Sequence, residues 1–451
     1  AQTDCSGHKT KYEYGPLGQV ISMTDAEGNT TRYHYDRYYR VSRIDHPDGN
    51  SENFQYDHAN RLITLTDALS QKTVYHYDLD ALPKERINAL GKCFAYHYDP
   101  ARRLCALTNE NGNRYQFEYN LDDALIAETG FDGKHSRYMY NAAGELEQSS
   151  QYASVETQHQ PLQISEFQRD SLGRLTSKSS HLAHRQQVAT THFCYGIGGR
   201  LIQTHNQHCL MRLEYDANGR LLQEQWHALE HALTLEQAND YESLQVRRLS
   251  YQYDPLGNRT AITTPDGQVI NQVYYGSGHL HHINLNGDTI SDIERDKLHR
   301  EIQRSQGAIQ TVYQLDAMGR LLSQHAGKNA ELIGPVQRRY QYDAVGNLRQ
   351  TDDNRFGITQ YQYDALGRIE QAGAERFAFD PAHNIIDRLD NNEISEQSPN
   401  LHPISGNRLQ RYQGYEYEYD ALGNLIKRTS PDGKRLFLSY DADNQLTDAY
   451  I

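Results

Sequence analysis

One nine-residue pattern returns along this chain and restricts what the chain can fold into. The stretches YQYDALGRI (361–369), YQYDAVGNL (340–348) and YEYDALGNL (417–425) share two tyrosines, an aspartate and a glycine at the same positions. A fixed period of this kind indicates a tandem array of one supersecondary unit. The residue after the second aromatic position recurs in steps of 21 residues at Gly15, Asp36, Asp57, Asp78, Asp99, Asn120 and Asn141.

The later copies are less regular but extend the array over the whole chain, so the sequence predicts one repeat segment, 1–451. The steps stretch to 38 or 40 residues where insertions interrupt the pattern, and a weak copy lies at Tyr275-Gly276. The corresponding residues of the later copies are Asp170, Gly196, Asp216, Asp254, Asp296, Asp316, Asp343, Asp364, Asp380, Asp420 and Asp441.

Each unit is predicted to be one β-hairpin. Aromatic residues alternate in Tyr33-His34-Tyr35, and a period of two with aromatic enrichment is a strand signal. The D-x-x-G-R-L stretch that follows, as at 216–221, is typical of a turn, because Asp caps turns and Gly tolerates positive φ. A second turn such as Asp48-Gly49 or Asn111-Gly112 then precedes the next unit, and Asp-Gly and Asn-Gly are strong hairpin signals.

Two sets of residues are therefore the candidate structural residues of the repeat. The turn set is Asp36, Asp57, Asp216, Gly219, Asp254, Gly257, Asp316, Gly319, Asp343, Gly346, Asp364, Gly367, Asp420 and Gly423. The aromatic set is Tyr33, Tyr35, Tyr75, Tyr77, Tyr96, Tyr98, Tyr251, Tyr253, Tyr340, Tyr342, Tyr361, Tyr363, Tyr417 and Tyr419.

The number of hairpins predicts how they assemble. About nineteen hairpins give roughly 38 strands, which at ~4.8 Å spacing form a ribbon of about 180 Å. Open twisted sheets rarely exceed about 10 strands, so such a ribbon is expected to coil. One full turn would have a radius of about 29 Å, too wide for side chains to fill. The expected fold class is all-β, with tandem antiparallel hairpins forming a spiral hollow shell whose two faces are both wet.

Composition agrees with a thin, wet wall and excludes several classes of protein. Only 37% of residues are hydrophobic and mean hydropathy is −0.84, yet the chain has 34 tyrosines. The net charge of −14 argues against nucleic acid as a partner of this segment. The sequence has no long apolar run that predicts a membrane span, and no basic-then-apolar Sec signal at its start. Its five scattered cysteines include no C-x-x-C pair, so neither a disulfide framework nor a zinc site is predicted.

The Y-x-Y-D-x-x-G-R-L units resemble the YD repeats of Rhs proteins, and similar repeats occur in the B/C components of insecticidal Tc toxins and in teneurins. Four copies match Y-x-Y-D-x-x-G in full, beginning at Tyr251, Tyr340, Tyr361 and Tyr417. The resemblance implies a spiral β-shell, or cocoon, around a C-terminal toxin domain. It also implies secretion spike proteins and a chaperone as partners, and export from the bacterial cytoplasm by a contact-dependent machine, often type VI.

The chain departs from the family pattern in one respect that bears on shell closure. Rhs shells close with paired D-P-x-G motifs that cleave the toxin free, whereas Asp254-Pro255-Leu256-Gly257 is a single copy inside the repeat YQYDPLGNR. It is therefore interpreted as an ordinary repeat turn. The sequence starts and ends within repeats, without a toxin or spike-docking domain. The expectation is that this stretch is part of a shell and is completed by other shell segments.

The remaining candidates for chemistry have simpler structural explanations. Two histidine clusters, 205–209 and 279–282, contain residue types that bind metals, and His279 and His281 share one face of a strand. Because histidine often occupies the middle of Y-H-Y, these residues are interpreted as wall histidines. The glycine-rich stretch 196–199 aligns with a repeat turn rather than a nucleotide loop. No catalytic residue, cofactor or metal is predicted.

Two segments break the rhythm of the repeat. Residues 222–249 place Leu222, Trp226, Leu229 and Leu233 at helical spacing, which predicts a helical insertion whose apolar stripe packs on the wall or forms a docking surface. Residues 386–410 contain two prolines and a glycine, which predicts a long loop insertion acting as a lid, a plug or a tongue.

Three functional hypotheses follow. The first is a non-enzymatic container for a toxin domain, delivered to competitor or host cells. The second is a teneurin-like adhesion or carbohydrate-binding surface, with tyrosines stacking on sugars. The third is an enzyme, which the periodic placement of Asp and Arg disfavours, because turn capping explains these residues without a carboxylate pair.

Overall fold

The computed structural model describes residues 1–183, 188–229, 233–241, 246–328, 334–386 and 405–451. These residues form 41 strands, one short α-helix and two 3-10 turns. They group into two compact units. Unit 1 consists of Ala1–Lys92 with Leu249–Arg376, and unit 2 consists of Cys93–Arg248 with Phe377–Ile451. Each unit is therefore assembled from two stretches of chain that are far apart in sequence.

The early strands are β1 (Gln2–Thr3), β2 (Lys9–Tyr14), β3 (Val20–Thr24), β4 (Thr30–Tyr35), β5 (Val41–Asp45), β6 (Ser51–Tyr56), β7 (Leu62–Thr66), β8 (Lys72–Tyr77), β9 (Pro83–Ile87), β10 (Cys93–Tyr98), β11 (Leu104–Thr108), β12 (Arg114–Tyr119), β13 (Leu125–Thr129), β14 (His135–Tyr140), β15 (Leu146–Tyr152), β16 (Gln163–Arg169), β17 (Leu175–Leu182), β18 (Val188–Tyr195), β19 (Leu201–His205), β20 (Cys209–Tyr215) and β21 (Leu221–Ala228). The 3-10 turns are Val155–Thr157 and Ser405–Asn407, and the helix α1 is Leu235–Asp240.

The later strands are β22 (Val246–Tyr253), β23 (Arg259–Thr263), β24 (Val269–Tyr274), β25 (Leu280–Leu285), β26 (Asp288–Arg295), β27 (Glu301–Gln306), β28 (Ile309–Leu315), β29 (Leu321–Lys328), β30 (Val336–Tyr342), β31 (Leu348–Asp353), β32 (Gly357–Tyr363), β33 (Ile369–Ala372), β34 (Glu375–Arg376), β35 (Ala378–Phe379), β36 (Ile385–Ile386), β37 (Arg411–Tyr412), β38 (Tyr415–Tyr419), β39 (Leu425–Thr429), β40 (Arg435–Tyr440) and β41 (Leu446–Tyr450).

Within each unit, a strand pairs antiparallel with the strand that follows it in sequence. Unit 1 contains the ladders β1–β9 and β22–β34. Unit 2 contains β10–β21, the pair β35–β36 and the ladder β37–β41. The predicted fold class of tandem antiparallel hairpins in an all-β chain is confirmed.

A β-bulge precedes the second tyrosine of a unit. In the pairing of β4 with β5, His34 lies opposite Arg43 and Tyr35 lies opposite Val41, so Ser42 is an extra residue on its strand. The same shift occurs before Tyr56, Tyr77, Tyr98, Tyr119, Tyr140, Tyr253, Tyr342, Tyr363, Tyr419 and Tyr440. Bulges increase the local right-handed twist of a strand pair, so the repeat sets a periodic bend into its own ladder.

The two faces of the ladder differ because side chains alternate along each strand. In β4 the rings of Tyr33 and Tyr35 are half-buried on one face, and His34 between them is exposed on the other. All fourteen tyrosines of the aromatic set are half-buried, and the residue between each pair is exposed. Because only one face of the sheet is aromatic and the other is polar, the chain can fold into an ordered structure with a low content of apolar residues.

Several of the most buried side chains are small and lie in the middle strand of polar triplets, although Leu210 and His227 are also fully buried. Ala127 is 2% exposed and lies opposite Glu118 on one neighbouring strand and Arg137 on the other. Ala106 is fully buried between His97 and Gln116 in the same way. A small residue lets the long polar side chains on both sides fold over it, so burial here comes from a single layer rather than from a thick core.

The predicted helical insertion at 222–249 contains α1, the α-helix of the described residues, but this helix is much shorter than the predicted segment. The strand β21 continues to Ala228, and the helical part is limited to Leu235–Asp240. Trp226 pairs with Met211 in the ladder between β20 and β21. The seven-residue ladder to β20 fixes this stretch as strand, and this pairing overrides a helix-like spacing of apolar residues. Residues 230–232 and 242–245 lie outside the described residues.

The predicted loop at 386–410 lies mostly outside the described residues, which resume at 405. Its described ends are Ile386 in β36, the 3-10 turn Ser405–Asn407, and three residues without regular structure. The assignment of 1–451 to one repeat segment stays a prediction beside the two units described above. In the described part of the chain, no helix is long and apolar enough to cross a membrane.

Candidate functional site: repeat turns and turn-to-turn seams

The aspartate that follows the second tyrosine closes each turn of the repeat. Asp57 Oδ1 accepts the backbone N–H groups of Ala59 and Arg61 at 2.8 and 2.9 Å. Its Oδ2 accepts Arg61 Nε at 2.6 Å, and the backbone closes the same five-residue loop through Asp57 N to Arg61 O at 3.0 Å. Asp364 likewise accepts the backbone N–H groups of Leu366 and Arg368 and the Nε–H of the Arg368 side chain. The aspartate thus works locally, within its own turn.

The fourth residue of the turn occupies the left-handed region. The glycines Gly219, Gly257, Gly319, Gly346, Gly367 and Gly423 have φ between 75° and 93°. Copies that lack glycine keep the conformation at a cost, as at Tyr39 with φ 63° and Asn60 with φ 66°. The hydrogen bonds that the aspartate carboxylate accepts are therefore strong enough to hold residues other than glycine in the left-handed region.

Successive units are linked by a ladder of tyrosine and arginine contacts. The Tyr77 hydroxyl donates to the carbonyl oxygen of Leu62 at 2.8 Å, and the Arg61 guanidinium lies 4.9 Å from the Tyr77 ring centroid. Arg61 Nη1 also donates to Asp78 O of the next turn. The hydroxyl contact recurs in Tyr35, Tyr119, Tyr140, Tyr342, Tyr363 and Tyr440. A Y-D-x-x-G-R-L unit therefore supplies a tyrosine hydroxyl that donates, an arginine that contacts the next tyrosine ring, and a leucine carbonyl oxygen that accepts, and these groups join it to its neighbours.

In unit 1, turns from distant parts of the chain touch along a seam. Arg320 Nη2 donates to Asp48 Oδ2 at 2.9 Å, although these residues are 272 positions apart. The backbone N–H of Lys297 donates to Glu27 Oε1 at 2.8 Å, and Asp4 Oδ2 lies 2.8 Å from His299 Nε2. Each contact joins the second turn of a repeat unit near the start of the chain to the first turn, the one that follows the tyrosine positions of the repeat, of a unit later in the chain. Because the same pairing of turns recurs, unit 1 has a regular seam.

Unit 2 has its own seam of the same kind. Asp443 accepts Lys178 Nζ at 2.7 Å and Ser180 Oγ at 2.6 Å, and it is part-buried. Nearby, Gln163 Nε2 donates to the carbonyl oxygen of Ala442 at 2.6 Å, with both residues buried. Further contacts join Asn111 to Asp380 and Asp132 to Arg408. Stretches of unit 2 that are far apart in sequence are therefore held by polar contacts of two kinds. Asn111 and Asp380 join turn to turn, and Asp443 joins its turn to Lys178 in β17.

The turns shift the acidity of their carboxyl groups. The backbone N–H of Arg61, and after it the Arg61 guanidinium, hold the pKa of Asp57 below its usual value. For Asp36 and Asp170, the guanidinium of Arg40 or Arg174 is the larger cause of the same lowering of the pKa. These carboxylates are ionised in the folded state and serve as hydrogen-bond acceptors.

A polar cavity of about 430 Å³ lies beside the seam of unit 2. Its described lining includes Tyr115, Glu128, Asp132 and Arg408, and contains neither histidine nor cysteine. Burial, and then the hydrogen bond to Glu128, raises the pKa of Tyr115 to about 12. The phenol therefore keeps its proton at neutral pH. The cavity offers hydrogen-bond donors and acceptors but no activated nucleophile among these lining residues.

The structure separates the two histidine clusters of the sequence. His279 stacks on His299 with ring centroids 4.0 Å apart, while His281 faces the ring of Tyr275 and the carbonyl oxygen of Ile293. In the other cluster, His205 is buried and stacks on His192, whereas His208 is exposed beside Gln207. Among the described residues, the group of three or more potential ligands that comes together is Asp4, His8 and His299.

The two other motifs singled out in the sequence adopt the repeat-turn geometry. In the D-P-L-G copy, Asp254 Oδ1 accepts the backbone N–H of Asn258 at 2.8 Å, and Gly257 has φ 90°. In the glycine-rich stretch, Gly196 N donates to Arg200 O at 2.9 Å. Both stretches thus share the backbone of the other first turns.

Sequence reasoning missed three sets of functional contacts. It found the tyrosines but not the carbonyl oxygens that accept their hydroxyls. It also missed the small residue that recurs two positions after the start of a post-turn strand, as in Ser22, Ala106, Ala127, Ser177, Ala261 and Ser323. That recurrence is visible in the sequence. The seam partners carry no such signal, because they depend on which hairpins meet in space.

Comparison with known proteins places the repeat in a family. The RHS Repeat family model matches residues 1–30, 16–51, 246–269 and 419–449. The chain is 29% identical over 346 residues to double-stranded DNA deaminase toxin A of Burkholderia cenocepacia, covering 71% of this chain and 22% of that protein. The stretches that the family model matches are RHS repeats. The chain is also 31% identical over 312 residues to the toxin protein Tse5 of Pseudomonas aeruginosa, covering 61% of this chain and 23% of Tse5.

Solved structures share the fold of this RHS-repeat chain at low identity. The crystal structure of TcdB2-TccC3 matches with a TM-score of 0.76 and 14% identity, over 97% of this chain and 28% of that one. The Tc holotoxin pore of Photorhabdus luminescens matches with a TM-score of 0.61 and 13% identity, over 97% of this chain and 26% of that one. The chain spans less than a quarter of the length of the two curated relatives, so their activities belong to longer proteins.

Proposed function

We propose that this RHS-repeat chain is a stretch of a non-enzymatic β-shell, and that the shell encloses a C-terminal toxin domain of a polymorphic effector. The single observation that carries the proposal is a hairpin wall without a thick core. Buried side chains in the described residues include small ones such as Ala106 and Ala127, and polar residues lie opposite them on both neighbouring strands. We infer that a wall of this kind holds its cargo through polar contacts rather than on one large apolar patch.

The names of the relatives support a toxin context. Two proteins that share the repeat region at 29% and 31% identity are named as toxins. In each, this region matches less than a quarter of the protein, which leaves most of its length for other parts. We assign enclosure to the repeat stretch and the toxic activity to a domain outside it.

The seams support a wall that stays closed in water. Polar contacts such as Arg320 to Asp48 and Asn111 to Asp380 join turns of distant hairpins within a unit, so neighbouring rows are fastened at their turns. Charged contacts of this kind are released by changes in pH or salt more readily than an apolar core. A shell fastened in this way holds cargo during production and export, and can be opened afterwards. The proposed route is contact-dependent secretion, of the type VI kind, into competitor or host cells.

The test is protease protection of the downstream domain. The intact protein and the isolated downstream domain are digested in parallel, and the half-life of that domain is followed on gels. Enclosure predicts a much longer half-life in the intact protein, and a fusion of the same domain to an unrelated folded protein controls for simple tethering. Equal half-lives in all three, with the repeats intact, would exclude enclosure by this segment. A surface that binds carbohydrate would then be the better hypothesis, and glycan arrays would test it.

A further inference from the structure

One carboxylate and two imidazoles meet where two turns of unit 1 touch. Asp4 and His8 belong to the turn 4–8, and His299 belongs to the turn 296–300. Asp4 Oδ2 lies 2.8 Å from His299 Nε2 and 3.5 Å from His8 Nδ1. The three potential ligand atoms all lie within 4.8 Å of one another. This group, called the His-Asp cluster below, therefore joins turns that are almost three hundred residues apart.

Both histidines of the His-Asp cluster depart from the repeat pattern. Turn 4–8 is a second turn, and the fifth position of several other second turns is asparagine, as in Asn29 and Asn50, but here it is His8. The fourth position is the one that favours glycine, but here it is His299 with φ 61°. The left-handed region disfavours a side chain, so the turn keeps the imidazole against its backbone preference. Each of the two touching turns thus carries a histidine, a residue type that ligates metals, where other turns of its kind carry a different residue.

The surroundings orient the three groups toward one point. Asp4 Oδ1 accepts the backbone N–H groups of Ser6 and His8 at 2.9 and 2.8 Å, which leaves Oδ2 toward the imidazoles. His279 stacks on the His299 ring at 4.0 Å with an interplanar angle of 9° and fixes the plane of that ring. His8 Nδ1 is shielded from solvent and has no hydrogen-bond partner among the described residues. A buried ring nitrogen without a partner is costly, and a cation at this point would satisfy it.

The distances suit a small first-row ion. Metal–ligand bonds of ~2.0–2.1 Å in a tetrahedral site separate the ligand atoms by about 3.4 Å. The separation of Asp4 Oδ2 and His8 Nδ1 is 3.5 Å and fits this value, whereas that of Asp4 Oδ2 and His299 Nε2 is 2.8 Å and has to widen. The ligand atoms of His8 and His299 lie within 4.8 Å of each other, so small side-chain rotations bring the third separation to the same value. Two imidazoles with one carboxylate favour Zn²⁺ and its first-row neighbours over Mg²⁺ and Ca²⁺, which prefer oxygen ligands throughout.

We propose that Asp4 Oδ2, His8 Nδ1 and His299 Nε2 bind a divalent transition-metal ion, with Zn²⁺ as the expected ion, and that this ion staples the seam of unit 1. Water would complete the tetrahedron, since three protein ligands leave one position open. The role is structural: an ion bound across two distant turns stabilises the folded state by mass action. The proposal concerns the wall itself and does not rest on what the shell encloses.

The test uses Co²⁺ as a spectroscopic probe and Zn²⁺ as the competing ion, on the intact protein without a histidine tag and stripped with chelator. The wild type should show the intense visible absorption of tetrahedral Co²⁺, which one equivalent of Zn²⁺ abolishes. Two variants restore the pattern of their own turns and so should fold: His299→Gly, which restores the glycine of a first turn, and His8→Asn, which restores the asparagine of second turns such as 25–29 and 46–50. Each should weaken Co²⁺ binding by at least about tenfold, because even the loss of an outer partner of a metal ligand costs that much.

The matched control is His383→Gly. His383 occupies the same turn position as His299, with φ 70°, but lies in unit 2 outside the His-Asp cluster. It should keep both the absorption and the rise in melting temperature that Zn²⁺ gives the wild type, while His299→Gly loses both. Absence of tetrahedral absorption in the wild type, unchanged binding in His299→Gly, or equal loss in His383→Gly would each overturn the proposal.

Discussion

Two adjacent glycines in one turn of unit 2 allow a clean test of the turn geometry. Replacing Gly199 with valine should destabilise the protein by about 1–2 kcal/mol more than replacing Gly198 with valine. Gly199 has φ 73°, where an L-residue brings its Cβ too close to the following carbonyl oxygen. Gly198, one position earlier, lies outside the left-handed region. The two variants thus add the same side chain to the same turn.

The surroundings of the two sites leave the backbone as the main difference between them. A Cβ on Gly199 would meet no atom within 4 Å, and one on Gly198 would lie 3.6 Å from an Arg200 guanidinium nitrogen, an ordinary contact. Each substitution also restricts the unfolded chain, which offsets about 0.4–1 kcal/mol of the cost in both variants. This offset cancels in the comparison, so the difference in free energy of unfolding reports the left-handed backbone alone.

The assay is urea unfolding followed by the fluorescence of Trp226, the single tryptophan of the chain. Trp226 is half-buried in β21, on the hairpin next to the turn that carries Gly198 and Gly199. Both variants should give the wild-type slope against urea, and the midpoint of Gly199→Val should lie clearly below that of Gly198→Val. Equal midpoints for the two variants would refute the assignment of the left-handed position.

Three further changes in unit 2 are read by the same assay. Tyr119→Phe should lower the free energy of unfolding by about 1 kcal/mol, because the carbonyl oxygen of Leu104 loses its donor. Tyr450→Phe should cost much less, because Tyr450 is 58% exposed, and similar losses in the two variants would contradict the hydroxyl ladder. Asp443→Ala should cost about 1.5–3 kcal/mol through its charged seam contacts, against under about 0.5 kcal/mol for the exposed Asp122→Ala. The hydrogen bond from the backbone N–H of Arg220 is the largest cause that lowers the pKa of Asp216 in the folded state. The stabilisation that this carboxylate gives the folded protein is therefore present above the unfolded pKa of 3.8 and is lost as the pH falls through the folded pKa. The urea midpoint should therefore fall between about pH 5 and about pH 3, and by less in Asp216→Asn; an equal fall in both would argue against this carboxylate.

The repeat turn could be predicted from sequence because its contacts are local. Asp57 bonds to residues two and four positions ahead, so the pattern D-x-x-G-R contains all the groups that close the turn. The alternation of Tyr33, His34 and Tyr35 likewise contains the two faces of the strand. Local consistency of this kind made the fold class accessible, and the family comparison agrees with it.

The stretch 222–249 shows where local pattern fails. Leu222 and Trp226 stand four residues apart, which suits a helix, but the neighbouring strand β20 offers seven residues of ladder partners. Pairing with a partner strand is not encoded in the spacing of apolar residues along one segment. The same reason hides the seams: nothing near Asp48 in sequence indicates that Arg320 will reach it.

The candidate metal ligands illustrate both limits at once. The sequence offered the clusters 205–209 and 279–282, because nearby histidines are visible in a linear reading, and both were interpreted as wall histidines. The structure instead brings His299 to Asp4 and His8, and leaves His279 as a stacking neighbour of His299. A comparison of each turn with the repeat pattern would have marked His8 and His299 as exceptions, but not their meeting.

A cryo-electron microscopy map of the intact protein tests enclosure most directly. The account predicts that the RHS-repeat wall closes, and that density for the downstream domain lies inside it and separate from bulk solvent. A map in which the downstream domain projects outside the wall on a linker, with the repeat hairpins well ordered, would contradict the central claim.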